Sequence, residues 1–242
     1  MNIGERMKHN YENITRNYLT KRTPVIARID GHCFHTFCKQ FDRPFDSMFR
    51  FFMERAAEKL KNEVQGLACI YVQSDEISVL ITDYTFIETQ SWFDYNIQKM
   101  SSILSSIITA EFNRCYIETW MRFNTGLHFD LEHRTEFLKM NLATFDCRVF
   151  NIPKDEVHNY FVWRQQDCIR NSKQMFAMSL FSQKEMQNKN TDELVKMCRS
   201  KGKDWEELDL KWKYGSIYDG SEWATPFLFT EKPAYISSFV YN

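Results

Sequence analysis

Two runs decide the fold between them: Pro24-Val-Ile-Ala-Arg-Ile-Asp30-Gly31 and Ile70-Tyr-Val-Gln-Ser-Asp75-Glu76-Ile-Ser-Val-Leu-Ile81. The first is a short β-rich segment, predicted as a strand over about 24–30, that ends in an Asp-Gly turn signal. The second lies in two β-rich segments, predicted over 67–73 and 76–83, broken by the polar kink Gln73 to Glu76. Alternation makes Ile70 and Val72, then Ile77, Val79 and Ile81, the inward-facing set. Carboxylates therefore stand at the tips of apolar strands, where charge is costly unless something cationic compensates it.

Working outward, Asp46 is a good helix N-cap. Behind it Phe49, Phe52, Met53, Ala56, Ala57, Leu60 and Val64 recur at helical spacing, which predicts a core-facing helix closed near Gly66. A second long helix is predicted over about 91–114 from Phe93, Ile97, Met100, Leu104 and Ile107. Its Ser101, Ser102, Ser105 and Ser106 are small enough to let it lie close to a sheet. Residues 4–22 are charged and aromatic and look helical, residues 115–141 have no clear pattern, and Leu142 to Ile152 reads as another strand closed by Pro153. The order β-α-β-β-α-β is the split βαβ arrangement. The expected fold is α+β, a ferredoxin-like palm with an antiparallel sheet and helices on one face. In that topology strands one and three are antiparallel neighbours, so Asp30 and Asp75-Glu76 converge although far apart in sequence.

Beyond Pro153, helices are predicted over 155–181 and 191–200, and β-like runs over 227–229 and 235–241. The division expected is a palm-like domain, 1–183, and a C-terminal helical and irregular segment, 184–242, packed on it. At 242 residues, with 43% hydrophobic residues and 21 Phe, the chain can bury a large core; seven Gly and five Pro argue against long linkers. A formal charge of −1 argues against a non-specific polyanion binder but leaves room for a local basic patch. Seven Cys, an odd number without a Cys-x-x-Cys, fit reduced thiols in a cytoplasmic protein. The N-terminus has no hydrophobic core for a signal peptide, and no run approaches a membrane span.

A lone Asp at a turn usually only caps it. Here topology brings Asp30, Asp75 and Glu76 together, and crowded carboxylates without a cation raise one another's pKa. Hard oxygen ligands of this kind suit Mg²⁺, and two such ions about 4 Å apart can clamp the attacking and leaving oxygens of a phosphoryl transfer. The turn Asp30-Gly-His-Cys-Phe-His35 offers successive N–H groups that can cradle a triphosphate, although no Walker-type Gly-x4-Gly-Lys accompanies it. His32, Cys33, His35 and Cys38 match no standard zinc spacing. Arg43, Arg164, Arg170 and Lys173 are candidate phosphate partners, with Arg164, Asp167 and Asn171 on one helical face; a solvated charged face is the competing explanation. Lys196, Arg199, Lys201, Lys203, Lys211 and Lys213, interleaved with Trp205 and Trp212, resemble a nucleic-acid patch diluted by Glu206, Glu207 and Asp209.

These residues resemble a known family, the tRNA-His guanylyltransferases with their bacterial, archaeal and phage Thg1-like relatives. The resemblance rests on Ala27-Arg-Ile-Asp-Gly-His-Cys-Phe-His35, Arg43-Pro-Phe-Asp46 and Tyr71-Val-Gln-Ser-Asp-Glu-Ile-Ser78. It continues through Trp92-Phe-Asp-Tyr95, Phe145-Asp-Cys-Arg148, Asn159-Tyr-Phe-Val-Trp-Arg-Gln-Gln-Asp167, Arg170-Asn-Ser172 and Lys201-Gly-Lys-Asp-Trp205. It implies a palm-like catalytic domain that adds nucleotides in the 3′–5′ direction to the 5′ end of tRNA, and a homotetramer. It also implies two Mg²⁺ held by Asp30 and Asp75 with the Gly31 carbonyl, Glu76 as a supporting acid, and GTP or ATP as substrate. The triphosphate would meet the turn from Asp30 to His35, Ser74 and Arg43. Arg164, Arg170, Asn171, Lys173, Lys201, Lys203, Lys211 and Lys213 would contact the triphosphate or tRNA.

Two departures from the family pattern matter. Arg43 stands where Lys is usual, which keeps the charge and alters its geometry. Ile169-Arg-Asn-Ser172 replaces the His-Ile-Asn-Asn stretch of the eukaryotic enzymes and resembles the Thg1-like branch, which favours template-dependent repair of 5′-truncated tRNA. Two alternatives remain from the residues alone. A palm-type nucleotide cyclase would use the same metals on a free nucleotide, and a non-catalytic RNA-binding relative would have no need of the intact carboxylates.

Overall fold

The computed structural model describes residues 1–124 and 139–241. Its centre is an antiparallel sheet of β1 (Val25–Gly31), β2 (Leu67–Gln73), β3 (Glu76–Ile81), β4 (Phe145–Asn151), β5 (Ser216–Tyr218) and β6 (Trp223–Ala224). Among the described residues the spatial order is β4-β1-β3-β2-β5-β6. The first four strands are the split βαβ pattern expected from the sequence. Register follows the alternation: Val25 lies opposite Ile81, Ile29 opposite Ile77 and Asp30 opposite Glu76.

The two crossover helices, α1 (Ser47–Glu63) and α2 (Ile97–Asn124), share one face of the sheet. Asp46 caps α1 through Oδ1, which accepts the Phe49 N–H at 2.8 Å. Its stripe Phe52, Met53, Ala56 and Leu60 is buried against Ile70, Val72, Ile77, Val79 and Ile81. Gly66 follows with φ +79°, where a Cβ would lie 2.1 Å from the Thr82 carbonyl oxygen, so only glycine fits this tight return into β2.

Helix α2 departs from expectation at both ends. Phe93, Asp94 and Tyr95 have positive φ and form a separate turn, Trp92–Tyr95; the helix begins after Asn96, whose Oδ1 accepts the Lys99 N–H at 3.0 Å. It then runs on through 115–124, part of the stretch without a clear pattern, because Met100, Leu104, Ile108, Phe112 and Cys115 continue one buried stripe. The rest of that stretch to residue 138 lies outside the described residues. The serines do not face the sheet: Ser101 and Ser105 donate to the carbonyls of Ile97 and Ser101 at 2.8 and 2.9 Å. Residues 4–22 are helical only as far as Thr15: Ile3–Met7, Lys8–Glu12 and Asn13–Thr15 follow one another as helical segments with no buried side chain, and the backbone turns extended at Arg16.

The second sheet face is covered by residues beyond Pro153. Helix α3 (Val157–Met178) sets Tyr160 and Phe161 on Ile26, Tyr71 and Leu80, and α6 (Pro233–Tyr241) adds Ile236 and Val240. The β-like reading of 235–241 is therefore corrected. Tyr235 and Phe239, like Ile236 and Val240, are spaced by four, and Pro233 opens the helix where its missing N–H costs nothing. Residues 227–229 are a connector, and the strands β5 and β6 are too short to show alternation. Helices α4 (Thr191–Ser200) and α5 (Leu210–Tyr214) complete the segment, packing Leu194, Val195, Cys198 and Trp205 on Phe176. Among the described residues no helix is long and apolar enough to cross a membrane.

Phe112 sits at the middle of the first core, fully buried, with ring centroids of Phe34, Phe37, Phe49, Phe52 and Phe145 within 5.5–6.0 Å. Phe112→Ala is expected to lower unfolding free energy by about 3–5 kcal/mol. Urea denaturation should read this as a lower midpoint with little change in slope; a loss below about 1 kcal/mol would mean that the cluster repacks freely.

Candidate active site

The last residue pairs of β1 and β3 bring the expected carboxylates together. Asp30 is opposite Glu76, and the Gly31 N–H donates to the Asp75 carbonyl at 3.1 Å. Ser74 and Asp75 form the two-residue hairpin loop between β2 and β3, with Ser74 at φ +47°. Burial is the main cause that raises the Asp30 carboxyl pKa, followed by the charges of Glu76 and Asp146. Burial pushes Asp75 up to about 6, with the charge of Asp30 adding to it. Both are electrostatically uncomfortable as anions.

Glu76 does not join them as a third free carboxylate. Arg164 of α3 donates from Nε to Oε1 at 2.8 Å and from Nη2 to Oε2 at 2.7 Å, and both side chains are buried. Gln73 Nε2 adds a donor at 3.2 Å. Of the three crowded carboxylates one is thus held by a fork-shaped partner, although its charge still acts on Asp30 and Asp75. Asp146 on β4, opposite Asp30 across the other edge of β1, is an acidic neighbour the motif reading missed. Its signal was the register: alternation in Phe145–Arg148 sets Asp146 on the face of Asp30.

Among the described residues no three His, Cys, Asp or Glu side chains are grouped to hold a metal by themselves. Asp30 and Asp75 nonetheless fit Mg²⁺: two strained carboxylates beside the Gly31 carbonyl supply hard oxygens, and Mg²⁺ ordinarily completes its shell with water and substrate phosphate.

The turn after β1 serves packing as much as binding. A Cβ on Gly31 would lie 2.4 Å from the Phe34 ring, so the glycine lets that ring enter the core. Phe34 is 3% exposed among Phe37, Phe112 and Phe145. The Gly31 and His32 N–H groups are taken by Asp75 and Thr144 carbonyls at 3.1 and 2.8 Å. Of the expected phosphate cradle, this leaves the amides of Cys33 to His35; Cys33 is left-handed at φ +57°. The side chains of His32, Cys33 and His35 are exposed.

Two cavities meet at the Gln73–Asp75 turn. One, of about 380 Å³, has mainly apolar walls from Phe41, Phe45, Met53, Met175 and Trp212, with exposed Arg43 and half-buried Lys211 also lining it. The other, of about 270 Å³, is polar and bordered by Arg28, Asp30, Glu76, Arg164 and Asp167. Asn171 lines both.

The basic residues divide. Arg164 is held by Glu76 and Asp167 while it also borders the polar cavity. Lys213, by contrast, is buried at 5% exposure, and its Nζ donates to the Glu206 carbonyl at 2.8 Å. Lys201 donates to the Leu180 carbonyl, Lys173 pairs with Asp192 at 3.2 Å and Arg170 pairs with Asp167. Lys203 is exposed. Trp205 is core, its Nε1 donating to Ser172 Oγ, and Trp212 stacks on Phe45 at 5.1 Å. The interleaved tryptophans thus build the C-terminal fold and are not an open stacking platform.

The comparisons agree with this geometry. A family model described as tRNAHis guanylyltransferase matches residues 4–153. A bacterial tRNA(His) guanylyltransferase (Thg1)-like protein, solved in complex with ATP, is 36% identical and superposes with a TM-score of 0.87 over 100% of both chains. Another such structure, in complex with GTP, is 34% identical with a TM-score of 0.77 over 100% of both. A protein of Acanthamoeba polyphaga mimivirus is 25% identical over 231 residues, 89% of this chain and 76% of its own. The tRNA(His) guanylyltransferase of Debaryomyces hansenii is 30% identical over 156 residues, 63% of this chain and 52% of the fungal one, so the match spans about half of that enzyme. With the palm topology, the paired aspartates and the family match in agreement, the chain belongs to the tRNAHis guanylyltransferase family of nucleotidyltransferase enzymes.

Proposed function

We propose that this protein is a 3′–5′ nucleotidyltransferase that adds nucleotides to the 5′ end of tRNA, in template-dependent 5′-end repair and in guanylate addition to tRNA-His. The observation that carries the reading is the convergence of Asp30 and Asp75 where an apolar and a polar cavity meet. The relatives solved with ATP and with GTP share this fold along the whole chain, which supports nucleoside triphosphates as substrates.

In this reading Asp30, Asp75 and the Gly31 carbonyl hold two Mg²⁺, which when bound neutralise phosphate charge and activate the attacking hydroxyl. The chain's own groups do the positioning. The apolar cavity excludes water around the nucleobase, with Arg43 at its rim for the phosphates. The amides of Cys33 to His35 and the Ser74 turn orient the triphosphate. Base pairing within the RNA supplies the selection of the incoming nucleotide, while protein contacts hold backbone and 5′ phosphate. Arg170, Lys203 and Lys211 are the basic side chains this reading keeps for RNA.

The protein is expected to extend several tRNAs lacking their first 5′ nucleotide, each supplied with a 5′-triphosphate or with a 5′-monophosphate plus ATP. The nucleotide added should be the one that pairs with the 3′ strand, and Asp30→Ala and Asp75→Ala should each lose at least about 10²-fold in rate. Addition of G to tRNA-His alone, whatever the opposing base, would refute repair; cyclic nucleotide made without any addition would favour a cyclase.

Asp75 yields a pH prediction. Its folded pKa of about 6 lies above the unfolded value, so the native state holds the proton more tightly. The ionised carboxylate therefore destabilises the metal-free fold near neutral pH, and that penalty disappears as pH falls through 6 towards 4. Asp75→Asn should raise the melting temperature of metal-free protein at pH 7.5 by a few degrees, with the gain shrinking at pH 5. Added Mg²⁺ should stabilise the wild type more than the variant. A variant no more stable at pH 7.5 would show that Asp75 is at ease as an anion.

Assembly as a homotetramer belongs to the same reading. It is supported by the segment 1–18, exposed throughout, on which Ile3, Met7, Tyr11 and Ile14 recur at helical spacing. Light scattering should give a four-chain mass, and a monomer at micromolar concentration would contradict it.

A further inference from the structure

Two arginines face each other across neighbouring strands: Arg28 on β1 and Arg148 on β4 are directly opposed. Like charges in that position repel. Arg148 is 58% exposed, and its nearest acid is Asp146, 3.8 Å from Nη2. Arg28 borders the polar cavity, and its buried Nε has no hydrogen-bond partner among the described residues. A buried guanidinium N–H left unbonded lacks an acceptor that a ligand can supply.

Beside this pair stands Trp163 on α3. Its ring is held by Tyr160 at 5.9 Å, edge to face, with the Arg164 guanidinium 4.3 Å and that of Arg28 5.9 Å from its centroid. Yet 51% of the residue is open to solvent, and among the described residues it is the one tryptophan so exposed. Trp205 and Trp212, which the sequence offered as stacking surfaces, are buried or already stacked. A fixed, half-open indole next to an anion-seeking arginine pair has the two parts a nucleotide requires: a face for the base and donors for the phosphate. The edge position of β4 leaves this side of the sheet accessible to a long polymer.

We propose that Trp163, Arg28 and Arg148 form the docking subsite for the 5′-terminal nucleotide of the RNA acceptor. Trp163 stacks on its base, and the two arginines hold its 5′ phosphate beside the polar cavity that contains Asp30. This inference rests on the nucleotidyltransferase reading and adds to it the side chains that receive the RNA end. It also accounts for the opposed arginines: a phosphate between them turns repulsion into a bidentate grip.

The test uses the full chain and a 3′-labelled RNA stem with a recessed 5′ end, prepared with a 5′-monophosphate or a 5′-hydroxyl, read by fluorescence anisotropy at fixed salt. Trp163→Ala should weaken both RNAs at least about fivefold, with Trp163→Phe restoring most of the loss and Trp163→Leu little of it. Arg148→Gln should remove the preference for the 5′-phosphorylated RNA while leaving the 5′-hydroxyl RNA nearly unchanged. ATP and GTP affinity and the melting temperature should stay at wild-type values in all four variants. RNA affinity unchanged in Trp163→Ala, or a phosphate preference that survives Arg148→Gln, would overturn the proposal and leave the arginines as countercharges of Asp30 and Asp146. So would equal losses for RNA and ATP, which would mark a structural role. If wild type extends RNA while Trp163→Ala binds and extends it equally well, this subsite falls and the nucleotidyltransferase reading stands. If wild type neither binds nor extends any RNA, both fall.

Discussion

The Arg164 guanidinium bonds both oxygens of Glu76 and also Oδ2 of Asp167, at 2.7–2.9 Å, in a place that water scarcely reaches. Neither charge could stay there alone, because stranding one partner of a buried pair costs about 3–5 kcal/mol. Glu76 is the first residue of β3, lies opposite Asp30 and directly follows Asp75, while Arg164 sits in the middle of α3. One contact therefore sets the height of the hairpin loop against the helix, and with it the placement of Asp75. Asp167 extends the chain of bonds to Arg170 and Asn171, so the fixed order reaches from the sheet to the exposed helix face.

With Glu76 paired to Arg164, the carboxyls pushed up are those of Asp30 and Asp75, and the charges of Glu76 and Asp146 still add to the burial of Asp30. The sheet behind them is apolar on both faces, and the nearest arginines, Arg28 and Arg148, relieve Asp30 only in part. A fold that sought stability alone would place amides at these positions. The metal-free protein instead carries a local electrostatic penalty, the usual mark of a site whose missing partner is a ligand. The larger core can bear it: Phe34, Phe112 and their neighbours fill one face, and Tyr71, Phe161 and Phe229 fill the other.

What was legible in the sequence was whatever local rules and long-range topology agreed on. Strict alternation fixed β1 to β3, Asp46 announced α1, and the split βαβ order alone brought Asp30 to Asp75. The start of helix α2 was misplaced because Phe93 is apolar at helical spacing from Ile97 and Met100, while the left-handed Phe93–Tyr95 turn has no compositional signature. Strand β5 is set by pairing with β2 and β6 by pairing with β5, not by their own pattern. The lysine-tryptophan alternation of the C-terminal segment read as an RNA surface, yet Lys213 and Trp205 pack together, the ammonium group donating to the Glu206 carbonyl and standing over the Trp205 ring. Glu76 offered no signal of its ion pair, since Arg164 is 88 residues away and only the packing of α3 on the second face joins them.

The two cavities differ in chemistry but have the Gln73–Asp75 turn as a common wall. A nucleobase is best received by apolar and aromatic walls, and reacting phosphates by charge and hydrogen-bond donors, so one cleft could not serve both well. Joining them through a two-residue loop has a mechanical consequence. Anything that fills the apolar cavity presses on the segment that carries Asp75, and Asp75 is held in turn by Glu76 through Arg164. The C-terminal helix α5, which brings Lys211 and Trp212 to the same cavity, is tied to α1 by Arg50, whose Nη1 donates to the Lys211 carbonyl at 2.8 Å. Occupancy of the base cavity and the geometry of the paired aspartates are therefore set by one connected body of side chains. That is a physical reason for the C-terminal segment to lie on the palm and not hang from it.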